Sequence, residues 1–288
     1  MYRTPPADSI SNHYHFYYGI VAMALRTEPF SDHPLPGPAW SGPVTPAAAD
    51  LACALRQTFE QHRPYFNEFI RIGNREGAQQ YRFSEWSTPS RLSTLLATYG
   101  DHIYRNHPGV QREHKPLKSL WAQWFLGLLV PPLIMALLTQ RRGLDISLSG
   151  MACGFHETGR AATFWIPGKE DPVLTALSPR ARLEMLWIKA VKPVVDLLDA
   201  SGDINGRLIW SNTGYLAGWF LGELKPVLGD PLVNALRHSC FNEKYLLCGE
   251  DNPLFRTMLQ RDGLYVRRTC CQRYRLPDVQ RCGDCTLK

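Results

Sequence analysis

The chain has 288 residues, of which 44% are apolar and 20% charged, with a formal net charge of +6 and eight cysteines. That composition supports a substantial core in one large domain, or a domain plus an appendage, and excludes both a largely disordered chain and a small disulfide-stapled secreted module. The net charge is mild but unevenly spread, because residues 259–288 alone hold seven Lys and Arg against three Asp.

Residues 1–46 contain eight of the 22 prolines, with an aromatic and histidine run from His13 to Tyr18 between them. No long regular element fits there beyond a short segment near Gly19 to Leu25, so the stretch reads as an extended or partly ordered arm. From Pro46 the apolar spacing becomes helical, with Leu51, Leu55 and Phe59 followed by Phe66, Phe69 and Ile70, and Pro64 marks a break or kink. Thr88 with Pro89 caps a helix running through Leu92, Leu95, Leu96 and Tyr99 to Gly100.

Leu120 to Leu138 is nineteen residues with only Gln123 strongly polar, flanked by Lys115 and Lys118 before and Arg141 and Arg142 after, which approaches a membrane-spanning length. Pro131 and Pro132 lie in its middle, where a lone span would leave carbonyls unsatisfied in lipid. The expectation is a buried core element made of two short helices joined at the prolines; a peripheral membrane contact is compatible with it.

After Gly143 the period shortens. Ile146, Leu148 and Met151, then Ala161, Thr163 and Trp165, predict two strands around Cys153 to Gly159, and Leu264 to Arg268 supplies a third. Ser178 with Pro179 opens a helix running to Ala200 but interrupted at Pro193. A second helix runs from Asn212 to Leu228, and Asp230 with Pro231 opens another. The sum is an α+β fold: a mainly helical domain at 47–258 with a small antiparallel sheet, the arm at 1–46, and a short cysteine-bearing segment at 259–288.

Cys53, Cys153, Cys240 and Cys248 lie singly among apolar neighbours and read as buried thiols of a reducing compartment. The other four, Cys270, Cys271, Cys282 and Cys285, form CCx10CxxC. Thiolate is a soft anionic ligand, and this set suits tetrahedral zinc and an iron–sulfur cluster alike. Vicinal Cα atoms are about 3.8 Å apart and their side chains diverge on a strand, so both cysteines bind one centre only if the backbone turns there. In the CxxC pair, Gly283 permits a tight turn that aims backbone N–H groups at the sulfurs.

The basic surroundings fit either a nucleic-acid-binding zinc module or compensation of an anionic cluster. In the second case Arg267, Arg268, Arg273, Arg275 and Arg281 offset the charge that four thiolates bring to a [2Fe–2S] core. The sequence has no GxG and no GxxxxGK[ST], so a redox role needs electrons from another protein, a ferredoxin or flavoprotein. His156 and Glu157, beside a turn and without a converging partner, read as structural. Met1 to Pro6 shows no basic stretch leading into an apolar run, so no export signal is expected.

RRTCCQRYRLPDVQRCGDCTLK at 267–288 resembles the C-terminus of the ferric-siderophore reductases of the FhuF family. DHIYRNHPG at 101–109, KPLKSLWAQWFLGLLVPPLIMALLTQ at 115–140, FHETGR at 155–160, GDINGRLIWSNTGYL at 202–216 and GEDNPLFRT at 249–257 extend the resemblance upstream, over residues 55–288. It implies that Cys270, Cys271, Cys282 and Cys285 are the ligands of a [2Fe–2S] cluster, carried near the surface by a C-terminal iron–sulfur segment. It also implies a cytoplasmic protein, peripheral at most to the inner face of the cytoplasmic membrane, with no nucleic-acid partner.

The implied reaction is one-electron reduction of Fe(III) in imported hydroxamate siderophores of the ferrioxamine, ferrichrome and coprogen class, which releases Fe(II). No catalytic side chain beyond the cluster is needed. For docking the siderophore the candidates are Arg267, Arg273, Tyr274, Trp210 and Tyr215, although Trp210 and Tyr215 sit in an apolar run that fits the core as well. The first forty residues differ from what the family leads one to expect.

Overall fold

The computed structural model describes residues 50–73, 79–261, 264–282 and 285–287, so the arm expected at 1–46 lies outside the described residues. The Asp50 carboxylate accepts from the Ala52 N–H and starts helix α1 (Leu51–His62), which buries Leu51, Leu55 and Phe59. Beyond Pro64 the spacing of Phe66, Phe69 and Ile70 is not that of one helix. A single turn, α2 (Phe66–Phe69), hands over to strand β1 (Ile70–Ile72), whose alternation of two buried isoleucines around exposed Arg71 is too short to be told from helix by period. After β2 (Tyr81–Arg82) and the turn α3 (Phe83–Trp86) comes α4 (Pro89–Ile103), where the Thr88 hydroxyl accepts from the Arg91 N–H as the cap.

Helix α5 (His114–Thr139) runs unbroken through Pro131 and Pro132, rather than as the two helices those prolines suggest. It is the one helix among the described residues long and apolar enough to cross a membrane, and 89% of that stretch is buried inside the protein. Burial on every side explains its continuity. Leu126, Leu128, Leu129, Val130, Leu133, Ile134 and Leu137 are all 2% exposed or less. At about 1.5–3 kcal/mol for each such side chain, their burial outweighs a cost of about 3 kcal/mol for each interior proline.

Strands β3 (Ala152–Phe155) and β4 (Ala161–Ile166) form the expected hairpin. With β2 antiparallel to β3, and β1 parallel to β4, they complete a four-stranded sheet of order β1-β4-β3-β2. Ile146, Leu148 and Met151 are buried, but they precede the strand. His156 closes the hairpin turn: its Nδ1 accepts from the Thr158 N–H at 3.2 Å, and its backbone N–H donates to the Arg160 carbonyl.

Helices α6 (Pro172–Ala176) and α7 (Pro179–Leu186) lead into a π-helical turn at Trp187–Val191 and then α8 (Lys192–Ala200). The wide turn falls just ahead of Pro193, which has no N–H for an α-helical bond to the Lys189 carbonyl. The helix widens there instead of ending. Helix α9 (Gly206–Glu223) begins six residues ahead of Asn212, capped by Asn205, and packs along α5; α10 (Lys225–Leu228) and α11 (Asp230–Phe241) follow.

Leu264 to Arg267 does not join the main sheet. It forms β6 (Leu264–Arg267), paired only with β5 (Met258–Arg261) in an antiparallel hairpin set against α9. The approach is close, since a Cβ on Gly214 of α9 would lie 2.2 Å from Thr257 Oγ1. The architecture is thus α+β and mainly helical, with α9 presenting the hairpin that precedes the cysteines.

Candidate metal centre

The β5–β6 hairpin ends by turning Arg267 inward, and the chain then carries the four thiols around it. Cys271, Cys282 and Cys285 are 1%, 5% and 6% exposed and pack together, with half-buried Cys270 against them. The turn that the vicinal pair requires falls immediately after it, at Gln272, whose φ of 61° is left-handed. There the Gln272 N–H donates to Cys270 Sγ at 3.3 Å. The site is therefore less open than its place near the C-terminus suggests, reaching solvent through Cys270.

The four thiols act on one another: Cys282 bonds toward Cys271 and Cys285 toward Cys270, while charge also couples Cys270 with Cys271 and Cys282 with Cys285. The bond from Cys282 holds the Cys271 thiol down at about 5, with the Arg267 charge assisting against burial, while Cys282, the donor, is pushed up. Burial pushes the Cys270 thiol up as well. Four thiols gathered in this way suit a [2Fe–2S] cluster and a structural zinc alike.

A buried polar relay ties these thiols to the helical domain. Arg267, 2% exposed, donates from Nη2 to Cys282 Sγ at 2.8 Å and from Nη1 to Asn212 Oδ1 on α9 at 3.3 Å. Asn212 Nδ2 donates to Ser119 Oγ on α5 at 3.1 Å, and that hydroxyl donates to the Cys271 carbonyl at 2.9 Å. The Arg267 guanidinium also lies 4.7 Å from the centroid of the buried Tyr215 ring. Among the described residues, Arg267 Nε and Arg273 Nη1 are buried donors without an acceptor. An iron–sulfur core fits such donors, because its sulfurs accept hydrogen bonds.

The remaining arginines stand differently. Arg273 Nε donates to the Gln280 carbonyl at 2.9 Å, while its backbone N–H and its charge also reach Cys271; Arg275 pairs with Glu113 and Arg281 lies over the Tyr274 ring, so these two brace the tail rather than a sulfur. Arg268 is exposed. His107 Nε2 and Asp278 Oδ2, 2.7 Å apart, add another tie between tail and domain.

The five docking candidates therefore do not share one surface. Arg267 is turned inward onto the thiols with the buried Tyr215 ring packed against it, and Arg273 and Tyr274 stay half-buried on the tail. Trp210 is two residues from Asn212 and so on the opposite face of α9. Cys153 and Cys240 are buried as expected, and burial raises both thiols, Cys240 to about 12. Cys53 is only half-buried, and Cys248 is exposed, because it occupies the surface turn after α11 rather than an apolar wall.

Sequence reasoning missed Ser119 and Asn212. The available signal was a hydroxyl and an amide placed among the apolar residues of two core helices. It also missed a cleft of about 600 Å3 between α4, the start of α5 and the end of α8, lined by Leu92, Ser93, Leu96, Leu117, Lys118 and Leu197 among others.

Fold and thiols together define a mainly helical α+β protein that gathers four thiols in its C-terminal segment. Residues 119–265 match the family described as ferric iron reductase FhuF-like transporter, and residues 267–287 match the FhuF 2Fe-2S C-terminal domain. The ferric siderophore reductase of Escherichia coli (strain K12) is 53% identical over 266 residues, which is 92% of this chain and 100% of that protein. The chain belongs to the FhuF family of ferric iron reductases. It is an oxidoreductase acting on ferric siderophores, with a [2Fe–2S] cluster as its cofactor.

Proposed function

We propose that Cys270, Cys271, Cys282 and Cys285 hold the cluster, and that this cytoplasmic chain reduces Fe(III) bound by hydroxamate siderophores of the ferrioxamine, ferrichrome and coprogen class. In this reading residues 47–258 face the siderophore and 259–288 hold the cluster. The observation that supports it most is the gathering of four largely buried thiols beside a buried arginine whose Nε still lacks an acceptor among the described residues. Bound there, the cluster supplies single electrons to chelated iron. Hydroxamate oxygens are hard donors that hold ferric iron tightly and ferrous iron weakly, so reduction is release and no side chain has to move a proton. A separate ferredoxin or flavoprotein supplies the electrons. Eight free thiols are in keeping with a reducing cytoplasm.

The chelate docks, in this proposal, in the cleft beside the thiol-bearing tail. Its leucine floor suits the methylene chains of a hydroxamate siderophore, and Ser93 with the rim residues Arg112 and His114 offers polar partners. The cleft is coupled to the tail at two points: Lys118 lines it while Ser119 holds the Cys271 carbonyl, and Glu113 pairs with Arg275. Arg273 and Tyr274 flank the approach to Cys270. Ser93→Trp is expected to raise KM for ferric ferrioxamine about tenfold, or about 1.4 kcal/mol of lost binding, with the visible spectrum of the centre unchanged. An unchanged KM would move docking to the Arg273 and Tyr274 side.

The deciding experiment is anaerobic reduction of the protein followed by mixing with ferric ferrioxamine. Reoxidation of the centre together with ferrous iron captured by a ferrous-selective chelator is the expected result. A colourless protein containing zinc and lacking visible bands would instead establish a zinc-ribbon interaction module.

A further inference from the structure

We infer that Arg267 is the positioning residue that sets the reduction potential of the centre, held for that purpose by Asn212 and Tyr215. The inference rests on the four-cysteine reading above. Five arginines near the cysteines carry the same formal charge, but only Arg267 is both buried and in hydrogen-bond contact with a sulfur. The charge of exposed Arg268 is screened by water and salt. Arg275 is already matched by the Glu113 carboxylate, Arg281 is engaged with a ring, and Arg273, whose backbone N–H and charge also reach Cys271, is only half-buried and gives its Nε to a carbonyl.

Burying a guanidinium is costly unless an anion faces it. The groups facing Arg267 are the Cys271 and Cys282 sulfurs and the Tyr215 phenol, and no ion pair joins it to a carboxylate among the described residues. Its charge is therefore left to compensate whatever negative charge the thiols hold. One electron added to the centre increases that negative charge, so a fixed cation at this position favours the reduced state. Nε, still without an acceptor among the described residues, has capacity for one more hydrogen bond of the kind that raises such potentials. Asn212 fixes Nη1, and the Tyr215 ring beneath the guanidinium plane restricts its tilt. These contacts orient the fork toward sulfur.

The test is an EPR-monitored redox titration of the full-length holoprotein and of the variants Arg267→Gln, Arg267→Lys, Asn212→Ala and Arg268→Gln. Arg267→Gln is expected to shift the one-electron equilibrium toward the oxidised form at least tenfold, equivalent to 59 mV. Arg267→Lys should recover part of that shift, because it restores charge without the fork. Asn212→Ala should move it about threefold in the same direction through a looser guanidinium. Arg268→Gln, which removes equal charge from an exposed position, should change it less than that.

A potential within threefold of wild type in Arg267→Gln overturns the inference, as does an equal shift in Arg268→Gln. If Arg267→Gln fails to assemble a centre, the decision falls to Arg267→Lys and Asn212→Ala, and wild-type potentials in both overturn it. Absence of any [2Fe–2S] signal in the wild-type protein refutes the four-cysteine reading instead, which keeps the two failures distinct.

Discussion

Serine in place of Cys282 is expected to give a folded protein that has lost its visible absorption, most of its iron, and at least 100-fold of its ferric-reducing activity. Removing even the outer hydrogen-bond partners of metal ligands costs about 10–100-fold in affinity, and loss of a ligand exceeds that. Cys282 is the most informative of the four because it is linked to both Cys271 and Arg267. Its loss leaves a guanidinium buried against fewer anionic partners, so the fold should also lose stability. Cys248→Ser is the matched control, since this thiol is exposed and far along the chain from the motif. Iron content, the visible spectrum and thermal unfolding of the two variants check the expectation. A serine variant of Cys282 with full iron and activity would remove that residue from the ligand set.

The features legible in the sequence were those that depend on local chemistry. CCx10CxxC stood out as a thiol motif, and the caps at Thr88 and Ser178 marked where their helices start. The illegible ones depend on what packs alongside. Pro131 and Pro132 read as a break because their cost is local, whereas the burial that overrides it comes from neighbouring elements. Ile70 read as part of a helical spacing because a three-residue strand cannot display a period, and β4 decides the matter by pairing with it. Leu264 to Arg267 was recognisable as a strand, but its partner was not, since β5 alternates weakly with one buried and two exposed residues.

Functional residues divide along the same line. The four gathered thiols were visible because cysteine is rare and spaced, while Arg267 was grouped with four other arginines because sequence carries no measure of burial. Tyr215 and Trp210, five residues apart, looked equivalent in the sequence. Only the helix phase of α9, fixed by where β6 lies, turns the first toward Arg267 and the second away.

That dependence on α9 makes Gly214→Ala a substitution outside the motif that should damage the site itself. The added methyl would stand 2.2 Å from Thr257 Oγ1 and 2.9 Å from Thr257 Cβ, and a β carbon fixed to the backbone cannot swing aside as a side-chain tip can. Thr257 is itself held, with its hydroxyl donating to the Leu254 carbonyl and its own carbonyl accepting from the Arg268 N–H. The strain must therefore push the hairpin off the helix, and with it Arg267. Overpacking of this kind costs about 1–3 kcal/mol. The cost should appear where the hairpin matters, as faster loss of iron to a chelator, while the far-ultraviolet spectrum of the helical domain is retained.

Space at residue 257 offers an internal check. Thr257→Gly removes both clashing atoms, so the double variant Gly214→Ala with Thr257→Gly should retain iron better than the sum of the single effects implies. The expected coupling is about 1 kcal/mol or more for side chains in direct contact. Strict additivity would mean that Gly214 is needed for something other than the approach of Thr257, and that the hairpin is held against α9 chiefly by the Arg267–Asn212 bond.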